Sequence, residues 1–387
     1  MSGRTHSQGV SSQLEQRYRR CTACVMDTSA VDIQFDEDGV CTYCREFRRT
    51  LHLQDSTRGN RAALSRLVRN IKAHGCGREY DCIVGLSGGL DSSYTLYLAK
   101  ELGLRPLAVH LDNGWNSYIA VKNIHALVKA LDVDLSTYVI DWDEYRHLQV
   151  AFLRANVIDV EVLTDHAIRA TLFKTAARYG LRYIVAGVNR ASEGMRMPPG
   201  WNHPKLDLHN IMAIYKRYGK SRKLVSFPRM GIAEYMYYSV AKGIRRVSLL
   251  DHTSYDLRKA TRTLQERFGY RAYGKKHYES VFTRFYMGYI LPRKFGVDKR
   301  KLHYSTLICS GQISRDEAER LMNEGTYDDE ALMEEDRVFV LKKLELTDEA
   351  FERYMGAEAV SHLQYPSRAW LLAMLRRCRE GLSWVTG

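Results

Sequence analysis

The run Leu86-Ser87-Gly88-Gly89-Leu90-Asp91-Ser92-Ser93 gathers in one short loop the groups that hold a polyphosphate. Two adjacent glycines let the backbone approach a bulky anion, and free amides at a helix start point at it with a favourable dipole. The hydroxyls of Ser87, Ser92 and Ser93 add donors. Asp91 would repel phosphate, so its place in such a loop is to hold a Mg2+ ion. The spacing is not the Walker A pattern, because no Gly-Lys-Ser/Thr ending is present. A nucleoside triphosphate site on a different kind of loop is expected.

Such a loop needs a strand before it and a helix after it. Residues 80–86 read as a short apolar strand, and an amphipathic helix follows, ending near Leu102-Gly103. The alternation continues with apolar residues 106–111, a helix over 118–131, a strand over 136–140, helical patterns over 142–156 and 164–179, and a buried strand over 183–187. Strands separated by helical crossovers predict a parallel sheet with helices on both faces. Ligands bind such sheets at the carboxyl ends of the strands, which adds Asp112, Asn113, Gly187 and Asn189 to the candidates. Over 195–230 the periodicity breaks at Pro198-Pro199-Gly200 and His203-Pro204, which predicts an excursion from the core, a mobile lid or interface loop. Beyond Ser254 helical patterns dominate, ending in an amphipathic helix near 366–380.

A second chemistry lies upstream. Cys21-x-x-Cys24 and Cys41-x-x-Cys44 form two knuckles separated by 16 residues, with a hairpin turn at Asp38-Gly39. Four thiolates in this arrangement make a closed tetrahedral site, so a structural Zn2+ is expected; an iron–sulfur cluster could use the same ligands. Cys76, Cys82, Cys309 and Cys378 are scattered and read as buried or incidental thiols.

A third set is basic. Over 271–301, nine Lys or Arg residues stand against two acids, interleaved with aromatics. Within it, Lys275 and Lys276 would stabilise charge on a departing pyrophosphate, and Glu279 is placed to act as a base or to hold a second cation.

The chain has 387 residues, enough for one large or two moderate domains. No apolar run approaches the ~18 residues of a membrane span. With eight cysteines, four of them in two Cys-x-x-Cys pairs, and no apolar leader, a reducing cytoplasm is expected. The net charge of +13 is uneven, for 316–358 alone carries −10 and the rest +23. A basic body suits nucleotides and would also suit RNA. The expected organisation is a flexible tail over 1–17, the cysteine ribbon over 18–50, an ATP-binding α/β domain over 61–253 that includes the excursion, and a mainly helical region over 254–387 that completes the active site.

Together these motifs resemble the N-acetyl sugar amidotransferases of lipopolysaccharide O-antigen biosynthesis, a branch of the PP-loop ATP pyrophosphatase superfamily. The resemblance runs over residues 20–315. It rests on the ribbon, the loop, Leu111-Asp112-Asn113-Gly114-Trp115-Asn116, Leu163-Thr164-Asp165-His166, Ala186-Gly187-Val188-Asn189, Gly274-Lys275-Lys276-His277-Tyr278-Glu279 and the run over 291–301. It implies a Rossmann-like PP-loop core with a zinc ribbon. It also implies adenylation of a sugar acetamido group by ATP, then displacement of AMP by ammonia to leave an acetamidine. By this resemblance Ser87, Gly88, Gly89, Ser92 and Ser93 hold the pyrophosphate, Asp91 the Mg2+ and Lys275 and Lys276 the leaving group. Asp112 and Asn113 would contact the adenosine, and Asp165, His166 and Glu279 are further candidates for metal or substrate contacts.

Position 2 is Ser2, not the cysteine of an N-terminal nucleophile glutaminase. The resemblance therefore implies a separate glutaminase paired with a barrel subunit like those of imidazole glycerol phosphate synthase, and a UDP-linked acetamido sugar, a uronic acid suiting the basic surface. Membrane and nucleic acid are not expected partners. The rival reading is a tRNA thiolase, since some join a Cys-x-x-Cys module to the same loop. Those enzymes carry Lys where Leu90 stands and need a cysteine pair beyond the loop, whereas only Cys309 and Cys378 follow Cys82 here.

Overall fold

Cys82, Ile83 and Val84 are wholly buried, as the middle strand of a sheet covered on both faces requires. In the computed structural model, which describes residues 18–55, 61–219, 223–375 and 377, they form β1 (Cys82–Gly85). β2 (Pro106–Asp112) and β3 (Leu135–Val139) lie on one side of it, and β4 (Tyr183–Val185) and β5 (Arg245–Val247) on the other. All pairings are parallel, with Val84 between Ala108 and Val185.

The helices that frame this sheet are α1 (Thr42–Asp55), α2 (Arg61–Gly75), α3 (Leu90–Glu101), α4 (Tyr118–Leu131), α5 (Trp142–Arg154) and α6 (Val162–Arg178). Side chains alternate along β1. Cys82 and Val84 pack with Ile71, Leu96, Ala99 and Leu127 of α2, α3 and α4, while Ile83 packs with Ala170 and Phe173 of α6. The chain builds outward from β1 to β3 and then returns to place β4 on β1's other flank. A crevice therefore opens where the loops after β1 and β4 part. Gly187 seals its base: a Cβ there would lie 2.8 Å from the Ser92 backbone nitrogen.

β5 has no counterpart in the sequence reading, since Arg245-Arg246-Val247 is short and charged. The 195–230 excursion is also not a loose lid in its described residues. It contains a helix, Leu208–Tyr218, whose Ile211, Ile214 and Tyr215 enter the main core beside Tyr145, Leu148 and Phe152 of α5. Its Trp201 packs under the ribbon. The prolines that break periodicity there shape a packed connection. The helix expected near 366–380 is helical over 369–375, and the tail over 1–17, Cys378 and the last residues lie outside the described residues.

The C-terminal helices are continuous with this body. Phe282, Phe285, Tyr286 and Ile290 share one apolar cluster with Val340, Leu344, Phe351 and the α5 side chains. The helix Arg300–Cys309 ties three parts together. Ser305 accepts a hydrogen bond from the Val25 backbone in the ribbon (3.2 Å), and Lys301 pairs with Asp27 there (2.5 Å). His303 and Ser310 meet the backbone oxygens of Ser192 and Ala191 (3.1 and 2.7 Å). Among the described residues no helix is long and apolar enough to cross a membrane.

Candidate active site

After β1 the chain turns sharply at Gly88, whose φ of 82° and 2.6 Å approach of a built Cβ to the Ala120 oxygen admit only glycine. Leu86 is buried and continues the ladder through its backbone to Val109. Ser87 and Ser92 close the loop on itself: their hydroxyls are 3.1 Å apart, Ser92 also accepts from the Ser87 amide (3.2 Å), and Gly89 donates to Ser87 Oγ (3.3 Å). Gly89 caps α3 without a side-chain bond, leaving that helix end to a ligand. Ser93 departs from expectation, for it is wholly buried and its hydroxyl faces the interior rather than the loop.

Asp91, in the first turn of α3, accepts hydrogen bonds from Ser192 (3.2 Å) and from Tyr255, through the latter's hydroxyl. Lys276 pairs with Glu193 at 2.6 Å. Glu279 lies against the loop, its Oε1 3.2 Å from where a Gly89 Cβ would stand. Burial pushes the Asp91 and Glu279 carboxyls up despite the nearby Lys276 charge. Burial also opposes the Glu193–Lys276 charges, yet their mutual attraction holds Glu193 down and Lys276 up. Lys276, His277 and Glu279 sit deep in the protein but keep 24%, 38% and 26% of their side chains accessible, as the lining of a cleft does. This assembly can neutralise a polyphosphate and, at Asp91 and Glu279, offer oxygens to a hard cation.

Other candidates part from this group. Lys275 turns away, bonding the Tyr327 and Gly325 carbonyls (2.7 and 3.3 Å) beside Asp328. His166 is wholly buried with both ring nitrogens engaged, Nδ1 by the Lys205 carbonyl (2.8 Å) and Nε2 by the Met230 amide (3.2 Å). Burial lowers its pKa to about 4, so it is a neutral structural histidine. Asn113 braces the turn after β2, accepting from Trp115 and reaching Thr164 (3.2 and 3.3 Å), and Asp112 accepts from Gly114 (2.8 Å) and Asn116 (3.1 Å). Asn189 caps the short helix Arg190–Glu193, which presents Ser192 and Glu193. Asp165 pairs with Lys205 at 3.0 Å.

Tyr255, Ser192 and Glu193 escaped the sequence reading, and His277 stood in its motif without a role. Tyr255 is 164 residues from Asp91 and Ser192 is 101 away, so no local spacing could flag them. His277 has a φ of 70°, an uncommon conformation for a side-chain-bearing residue, and burial with the Lys276 charge lowers its pKa to about 4.

In the ribbon, Cys21, Cys24, Cys41 and Cys44 are wholly buried, with their sulfurs all within 4.8 Å of one another. The Cys24–Cys41 and Cys21–Cys44 separations, 3.8 and 4.0 Å, match the ~3.8 Å edge of a tetrahedron of Zn–S bonds. The site therefore fits a single zinc ion better than a multi-iron cluster, whose sulfides spread the cysteines. Cys309, read as incidental, has its sulfur 3.5 Å from that of Cys44.

With the cleft in view, comparison with known proteins adds one matched stretch. Residues 279–378 match the C-terminal domain of WbpG-like LPS biosynthesis proteins. That match starts at Glu279, the carboxylate against the loop. Over 118 residues the chain is 29% identical to an uncharacterized protein of Methanocaldococcus jannaschii, covering 30% of this chain and 41% of that relative's length. Among solved structures it is similar to a 4-thiouridine synthetase–RNA complex with bound ATP (17% identity, 52% of this chain and 44% of that one, TM-score 0.31). It is also similar to an NMN synthetase from Francisella tularensis (14%, 56% and 98%, 0.26) and an NAD+ synthetase from Burkholderia pseudomallei (14%, 60% and 96%, 0.28).

Proposed function

We propose that this chain is an ATP-dependent amidotransferase that adenylates the acetamido group of a nucleotide-linked sugar and replaces its oxygen with ammonia nitrogen. The observation that carries the reading is the meeting of Glu279, the first residue of the LPS-biosynthesis match, with the Gly89 turn of the triphosphate loop. A polysaccharide-type domain and an ATP-type loop then share one cleft.

In this reading the loop amides and Ser87 and Ser92 hold the β- and γ-phosphates. The amide oxygen attacks the α-phosphorus, pyrophosphate departs toward Lys276, and ammonia adds to the resulting imidate carbon as AMP leaves. An amide is a poor electrophile, and adenylation supplies both a positive carbon and a good leaving group. The cleft's task is positioning and charge stabilisation. Mg2+ would be held by the remaining lone pairs of the Asp91 carboxylate, each of whose oxygens one hydroxyl orients, with Glu279 across the loop as a second oxygen donor. When bound, the ion would supply charge neutralisation for the phosphates. Ammonia would come from a separate glutaminase and its barrel subunit, and glutamine-dependent turnover by this chain alone would overturn that part.

The test is AMP release from ATP with ammonium chloride and a UDP-linked diacetamido uronic acid, following the sugar by mass spectrometry. The expected product is lighter by the difference between an oxygen atom and an NH group, with matching AMP. AMP without a changed sugar would overturn the acceptor, and no AMP together with bound tRNA would favour a thiolase.

A further inference from the structure

Beyond the triphosphate loop, the amino end of α6 carries ionisable groups that the reaction above leaves unused. Glu161 is 7% exposed. Its Oε2 accepts a hydrogen bond from Thr283 (2.7 Å), while its Oε1, sealed from solvent, has no partner among the described residues. Lys299, Asp165 and Asp159 are the charged groups that act on it. Asp159 is already satisfied at one oxygen by Lys205 (2.6 Å) and the His203 amide (2.8 Å), and Lys205 also holds Asp165. The Lys299 ammonium makes no hydrogen bond or ion pair among the described residues, and burial lowers its pKa although three acids oppose that.

A sealed acceptor with no partner is costly unless a ligand completes it, and the half-buried Lys299 ammonium, which acts on Glu161, has no ion pair of its own. That ligand must donate to Glu161 and accept from Lys299, as a secondary amide on an oxygen-rich acceptor does. Contacts link Glu161 to the loop: Thr283 bonds Ser280 (3.0 Å), whose neighbour Glu279 stands on Gly89, and the His277 ring feels the charges of Lys276, Lys299 and Asp165 alike.

We infer that Glu161 is the general base of the acceptor subsite, taking the N–H proton of the acetamido group as the amide oxygen attacks the α-phosphorus. Lys299 binds an oxygen of the same acceptor and Thr283 positions the carboxyl. The assignment rests on the proposed function. In the first step the O–P bond forms, the bond from the α-phosphorus to the bridging oxygen breaks, and the amide proton moves to Glu161 to leave a neutral imidate. In the second, ammonia bonds to the imidate carbon while Glu161 returns the proton to the sugar nitrogen. The added nitrogen then gives one proton to the departing AMP phosphate as the C–O bond breaks, leaving an amidinium. Burial raises the Glu161 carboxyl to about 7 although Thr283 opposes it, which suits a group that takes a proton and gives it back near neutrality.

The experiment measures kcat/KM for AMP release against pH in the wild-type chain, Glu161→Gln and Thr283→Val, with the UDP-linked diacetamido uronic acid, ammonium chloride and ATP, and ATP affinity alongside. The wild type should lose activity below an acid limb near pH 7. Glu161→Gln should bind ATP normally and lose on the order of a hundredfold or more, with the limb abolished. Thr283→Val, which removes the bond that holds the carboxyl down, should move the limb to higher pH. A Glu161→Gln chain within a few-fold of wild type, or one that keeps the limb, overturns the assignment. If that variant does not fold, an unmoved limb in Thr283→Val does so instead. A wild type that releases no AMP with this acceptor overturns the proposed function, and this role with it.

Discussion

At the scale of single residues, neighbours in sequence part company in space. Lys275 and Lys276 are indistinguishable in composition, yet one braces the Gly325–Tyr327 backbone and the other faces Asp91 and Glu193. Lys276→Gln should lower AMP release on the order of a hundred- to a thousandfold, the cost of losing one preorganised charge at a leaving group. Lys275→Gln should instead turn over near the wild-type rate and lose about 1 kcal/mol of stability in denaturant melts. Glu161 makes a second contrast. Its folded carboxyl titrates near 7, above the unfolded value, so folding takes up a proton. The stability it contributes is therefore lost as pH rises through that window and stays lost above it. Glu161→Gln escapes the cost of burying a carboxylate. At pH 8 it should melt higher than wild type, by up to about 3 kcal/mol, and the gain should vanish near pH 4.

At the scale of elements, much of the sheet was legible because its signals are local. The strands over 80–86, 106–111 and 183–187 announce themselves as apolar runs, and the Gly88-Gly89 turn follows one of them directly. β5 was not, since only its pairing with β4 makes a strand of two arginines and a valine. The excursion was misjudged because proline and glycine mark a change of direction and say nothing of burial; Ile211, Ile214 and Tyr215 supply that, through contacts with α5. At the candidate site the loop and the ribbon cysteines were readable from spacing, whereas Glu161, Tyr255 and Glu193 become a site only when distant segments meet. Another such meeting is Gly187 on the start of α3. Gly187→Ala would drive a methyl into the Ser92 backbone, and we expect about 1–3 kcal/mol lost in thermal melts together with weaker ATP binding by calorimetry.

At the scale of the whole molecule, the ribbon is not an appendage. Its buried face shares a cluster with Met195, Trp201, Val297 and Leu302, so it braces both the excursion and the C-terminal helices. Elemental analysis should find about one zinc per chain. Stripping it with a chelator, or the Cys41→Ser change, should expose the Arg300–Cys309 helix to proteolysis and abolish AMP release while leaving the isolated sheet's circular dichroism largely in place. That helix runs from Lys299 at one end to Cys309 beside the four thiols at the other, touching the Ser192 segment between. On the proposed function, a cell short of zinc would keep making the polypeptide yet lose its chemistry. Metal supply would then act as a throttle on the cleft through one ten-residue strut.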